Sequence, residues 1–211
     1  PREEKIGSLQ YALSDTKPTG KNKFEASIPG KTGGLSKFGS GYPHCPAKIT
    51  GPTNDIDTLK KAVAGIWPAG TGRFDEGLAW AWRLVSPEWH GRWDAPNYPN
   101  KKDERRKVIV IVTDSYSTAY DHEVGAKGGV PWNQISDRGF THIEDLCSRT
   151  KEDGIEIHVL LFNSYERAKG PWSRCASEDS FFEIGNIDDF RVGLERAATN
   201  PKSSGQLRLT L

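Results

Sequence analysis

Residues 107–120 read KVIVIVTDSYSTAY, in which five β-branched apolar residues, Val108 to Val112, run without a polar interruption and then stop on Thr113-Asp114. A run with no polar alternation predicts a strand covered on both faces, the usual state of a strand in the parallel sheet of an α/β domain. In such sheets ligands gather in the crevice outside the carboxyl ends of the strands. Asp114 is placed at that lip, where it can cap the following Ser-Tyr-Ser-Thr turn, hold a divalent cation or serve as an acid or base.

The chain has 211 residues, enough for one domain or one domain with an insertion. Hydrophobic residues make up 35 %, beside 22 Gly and 13 Pro, so much of the chain is expected to be loop. A formal net charge of +1 gives no electrostatic case for nucleic acid. No stretch of these residues approaches the roughly 18 consecutive apolar residues of a membrane span or carries a signal-peptide pattern, and any targeting information is expected upstream. The chain starts at Pro1 and contains no Met, which leads to the expectation of a fragment or processed product. Cys45, Cys147 and Cys175 have no CxxC spacing and argue against zinc.

Residues 1–50 carry a Gly-, Pro-, Lys- and Ser-rich stretch without helical or strand period, read as a long irregular insertion over a scaffold formed by residues 51–211. Gly30-Lys31-Thr32 imitates the end of a phosphate loop, but Glu25 stands where its first glycine belongs. After Pro52, a Thr or Asn cap and the spacing of Ile56, Leu59, Val63 and Ile66 predict one amphipathic helix. Phe74, Leu78, Trp82 and Val85 predict a second, stopped by Pro87, with Trp80 and Trp82 as packing residues. The segments before the strand (HGRWDAPNYPNKKDERR) and after it (DHEVGAKGGVPWNQISDRGF) read as loops. A third helix is expected at THIEDLCSRTKEDG, with Ile143, Leu146, Cys147 and Thr150 on one face and Gly154 as its close. IEIHVLLFN is a second buried strand, with His158 a packed core residue, and SFFEIG a short third. NIDDFRVGLERAATN is a final helix with Ile187, Phe190 and Leu194 inward. This order predicts an open α/β sheet.

GTGRFDEGLAWAWRLVSPEW, KVIVIVTDS, LCSRTKEDGIEIHVLLFN, CASEDSFFEIGNIDDF and the terminal LRLTL, in this order, resemble the C-terminal part of TadG-type Tad/Flp pilus-assembly proteins. The resemblance covers roughly residues 43–211, with a weaker echo at REEKIGSLQYALSDTKP. It implies a von Willebrand factor A domain, a Rossmann-like open sheet, in a bacterial protein anchored in the membrane through a segment outside this chain and facing the periplasm or cell surface. It also implies a metal-ion-dependent adhesion site for Mg²⁺ at the sheet's carboxyl edge, with Asp114 matching its Thr-Asp-Gly element and Thr71 its threonine. A hard, oxygen-seeking Mg²⁺ there would complete its octahedron with a partner's carboxylate.

The departures from that pattern are specific. No Asp-x-Ser-x-Ser occurs in the chain, Thr-Asp-Gly has become Thr113-Asp114-Ser115, and Thr71 sits one residue early. Either the missing strand comes from elsewhere or the site is degenerate. If the sheet follows the family's order, the first strands are lacking from this chain and the Val108–Val112 strand exposes an edge, to be covered by an upstream half of the same protein or by another subunit. The resemblance further suggests a disulfide between Cys147 and Cys175, leaving Cys45 for a cysteine upstream; the alternative is three buried free thiols.

The function expected is that of a non-enzymatic structural or adhesive component of a Tad-type pilus or related surface assembly that binds other proteins. Trp89, Trp93 and Tyr98 are candidate contacts, or equally the residues that pack the 1–50 insertion onto the domain. A metal-free interaction module of the same fold is the nearest alternative. A hydrolase built on Asp114, Ser115, Ser117 and His122 is the alternative of another class, against which stands the lack of a Gly-x-Ser-x-Gly elbow.

Overall fold

A computed structural model describes residues 49–66, 74–93, 95, 97–99, 106–114, 132–162 and 166–199. The readings placed on the 1–50 insertion, apart from its last two residues, and on Thr71, Cys45, Ser115, Ser117, His122 and LRLTL lie outside the described residues.

Three strands, β1 (Val108–Thr113), β2 (Glu156–Phe162) and β3 (Phe181–Ile184), form a parallel sheet in the order β1-β2-β3. Parallel neighbours cannot be joined by a hairpin and need a crossover. Helix α3 (Trp132–Glu152) lies in the connection from β1 to β2 and α4 (Glu166–Cys175) in that from β2 to β3. Helices α1 (Ile56–Ala64) and α2 (Phe74–Val85) precede the sheet, and α5 (Ile187–Thr199) follows it. The chain is thus an α/β domain with a small parallel sheet.

One face of the sheet carries the core. Ile109 of β1 and Ile157, Val159 and Leu161 of β2 meet Leu78 and Trp82 of α2, Phe140, Ile143, Leu146 and Cys147 of α3, and Ala168 and Trp172 of α4. Each such aliphatic side chain, fully buried, stabilises the fold by roughly 1.5–3 kcal/mol. The inward faces expected for α2 and α3 are those found. Trp82 adds a bond from its indole N–H to Asp153 Oδ2 at 2.9 Å, tying α2 to the turn beyond α3. Gly154, at φ +76°, closes α3 in the left-handed region that glycine enters without a Cβ clash.

The other face is covered unevenly. Helix α5 lies over β2 and β3, while Val110 and Val112 of β1 remain 39 % and 50 % exposed. The strand is therefore not buried on both faces by the described residues, contrary to its sequence pattern, because no described helix lies over its second side. The periodicity of α5 also misleads: Ile187 and Leu194 are exposed, Phe190 is half-buried, and Gly193 and Ala197 face inward. Small residues win that face because the helix backbone comes close; a Cβ on Gly193 would stand 3.2 Å from Leu160 Cδ2.

Three further details differ from the sequence reading. Helix α3 begins at Trp132, so Trp132–Phe140 is helical rather than loop. Helix α4 was hidden by Gly170-Pro171, although Ala168, Trp172 and Cys175 form its buried stripe; the proline removes one N–H from the helical ladder. The cap of α1 is Asp55, whose side chain accepts from Asp57 N–H at 3.0 Å, while Thr53 accepts from Asp55 N–H. The apolar stripe of α1 (Ile56, Leu59, Val63), with Ile66 just beyond, is exposed throughout.

Candidate functional site at the carboxyl edge and outer side of β1

Thr113 is buried at the end of β1, opposite Leu161 of β2, and the exposed Asp114 follows immediately. The parallel ladder thus delivers Asp114 to the carboxyl edge of the sheet, as its position after the apolar run suggested. Thr71 lies outside the described residues, so the two are not brought together here. Among the described residues no group of three or more His, Cys, Asp or Glu side chains gathers in a metal-ligating arrangement. One exposed carboxylate can contribute to Mg²⁺ coordination but does not provide the several oxygen ligands the ion needs.

β1 stands at one end of the strand order, so among the described residues its outer backbone edge pairs with no strand. Beside that edge lie Val110 and Val112, apolar and open to water. An unpaired, β-branched edge with an adjoining apolar face is a template for another strand.

Trp89 and Trp93 stack with ring centroids 5.4 Å apart, and Trp80 meets both edge-on at 5.8 and 6.1 Å. The Arg83 guanidinium, fully buried, lies 4.8 Å above the Trp80 ring. All three indoles are half-buried, and Gly51 abuts the Trp93 backbone so closely that a Cβ would meet its carbonyl oxygen at 2.8 Å. Tyr98 accepts a bond at its carbonyl from Gly91 N–H at 2.9 Å, and burial pushes its phenol above the usual tyrosine range. The cluster both packs this loop together and leaves part of each ring in water.

Cys147 and Cys175, both fully sealed, form a disulfide between α3 and α4 with Cα atoms 5.1 Å apart. That pairing is the one the resemblance suggested. Cys45 lies outside the described residues.

Two charged constellations had no sequence signal, since their members are far apart in the chain. Asp75 Oδ2 lies 3.2 Å from His142 Nδ1, both buried, joining α2 to α3. Arg106 grips Glu156 with two bonds of 2.9 and 2.6 Å and reaches Ala197 O at 3.4 Å; Glu156 in turn lies 3.5 Å from His158 Nε2. The Arg106 bonds hold the Glu156 carboxyl below its ordinary range, and burial pushes the His158 imidazole below its own.

Comparison with family models, with curated proteins and with solved structures gave no match to this chain. The sheet and its helices define the class, an α/β domain built on a parallel sheet. No helix among the described residues is long and apolar enough to cross a membrane.

Proposed function

We propose that the chain is part of a non-enzymatic, von Willebrand factor A-like module that binds other proteins within a bacterial surface assembly of the Tad-pilus type. The observation that carries this reading is the outer side of β1: an edge without a strand partner among the described residues, flanked by exposed Val110 and Val112. A strand from an upstream half of the same protein, or from another subunit, adds to that edge and buries the two valines. The stripe of α1 is a second exposed apolar surface. The buried Cys147–Cys175 disulfide supports an oxidising compartment such as the periplasm or cell surface.

In this reading Asp114 contributes to a Mg²⁺-dependent adhesion site whose further ligands come from Thr71 and the completing strand. A module that binds without metal is the alternative, and calorimetry on the completed assembly with Mg²⁺, Mn²⁺ and Ca²⁺ separates the two. Site-specific photocrosslinking from position 112 in the native assembly tests the strand addition. Crosslinks to a β-strand segment of the assembly support it; a position 112 that reacts with water alone in the assembled state sinks it.

A further inference from the structure

The final helix is held lightly, by few apolar contacts and by a long polar contact from Arg106. Only Gly193 and Ala197 of α5 are buried, while Ile187, Val192 and Leu194 face water. Phe190 adds a tilted ring contact with Phe162, at 5.3 Å between centroids. A chain of charge adds a further connection. Arg106, in front of β1, binds Glu156 at the start of β2 and also the carbonyl of Ala197 in the last turns of α5.

His158 sits at the end of that chain. Its side chain is sealed from water, its ring lies parallel to Phe182 at 6.4 Å, and its Nε2 faces Glu156. Nδ1 is buried and has no hydrogen-bond partner among the described residues. The charged groups that act on it are Glu156 on its own strand and Arg106 ahead of β1; on α5, Arg196 places its guanidinium 5.8 Å above the Phe182 ring. Arg191 and Glu195 of α5 are exposed and face each other at 3.9 Å. β3 contributes the uncharged Phe182 ring and β1 the aliphatic Val110.

We propose that His158 is an acid-sensitive latch for α5, so that protonating the imidazole loosens the helix from the sheet and uncovers Leu160, Phe162 and Ile184. A second cation beside Arg106, with the Glu156 carboxylate already held by two bonds, has to reach water to be solvated. Loosening the lightly held α5 opens the way. The depressed imidazole fits this direction, because the neutral form is the one the folded state favours.

Amide exchange corrected for intrinsic rate, together with NMR of the ring, tests the latch on the full chain. Protection of α5 amides should fall about tenfold between about pH 7.5 and about pH 5, that of α3 should hold, and in His158→Gln the α5 protection should not respond to pH. Protection of α5 that is constant over this range, or falls equally in His158→Gln, overturns the proposal. Should that variant fail to fold, the wild-type ring decides alone. Titration below the ordinary 6.5, coincident with the loss of α5 protection, supports the latch, and titration that leaves α5 protected refutes it.

Discussion

Val110 of β1 and His158 of β2 are register partners in the parallel ladder, yet Val110 is 39 % exposed and His158 is 0 % exposed. The boundary between covered and bare sheet therefore runs between two adjacent strands. On the covered side Phe182 lies against the imidazole; on the other, Val110 keeps 39 % of its surface open to water.

That boundary predicts opposite responses to substitution on one strand. Val112→Lys should change the stability of the isolated chain by no more than about 0.5 kcal/mol, as surface changes do. Ile109→Ala, on the core face, should cost about 2–4 kcal/mol through lost burial and a residual cavity. Urea unfolding of both variants checks the contrast, and equal losses would mean that Val112 is not at a free face.

The disulfide closes a sequence separation of 28 residues. Constraining a loop of that length restricts the unfolded chain by about 3–4 kcal/mol. The double variant Cys147→Ala/Cys175→Ala should lose most of that, measured by denaturation without reductant. A loss under about 1 kcal/mol would remove the disulfide from the stabilising features and weaken the case for an oxidising compartment.

Glu156 gains acid-sensitive stability from Arg106. Its carboxyl titrates below the ordinary 4.5 when folded, so the contribution is complete above that value and is lost as pH falls through the folded one. Glu156→Gln should cost about 1–2 kcal/mol at neutral pH. The difference from wild type should shrink below about pH 4. A difference that persists unchanged in acid would assign the loss to packing instead.

Gly193 sets how close α5 can lie to the sheet. Gly193→Val should detach the helix, because its Cβ would sit 3.2–3.3 Å from Leu160 Cδ2 and Cγ and the branches would crowd Ile184. Exchange protection in α5 should fall while that in α3 is kept. Protection retained in both helices would show that the Leu160 side chain moves aside freely.

Much of the fold was legible where apolar spacing and burial coincide. Ile143, Leu146, Cys147 and Thr150 announced the inner face of α3, and Val108–Val112 announced a parallel strand ending on a carboxylate. Legibility failed where small residues replaced large ones at a close contact, as at Gly193 and Ala197, and where a Gly-Pro pair sat inside a helix, as at Gly170-Pro171. It failed too for the Arg106–Glu156–His158 chain, because tertiary packing rather than local spacing brings Arg106 to the start of β2. At the candidate site, sequence located Asp114 at the carboxyl edge but could not tell that one face of β1 stays open, since a strand's composition does not record which neighbours reach it.

The proposed function requires that another strand complete the sheet at β1. Amide exchange across Val108–Thr113, compared between the isolated chain and the native assembly, tests it most directly. Amides on the outer edge should exchange rapidly in the isolated chain and gain protection of about a hundredfold or more in the assembly, as strand pairing requires. Outer-edge amides that exchange equally fast in both states would contradict it.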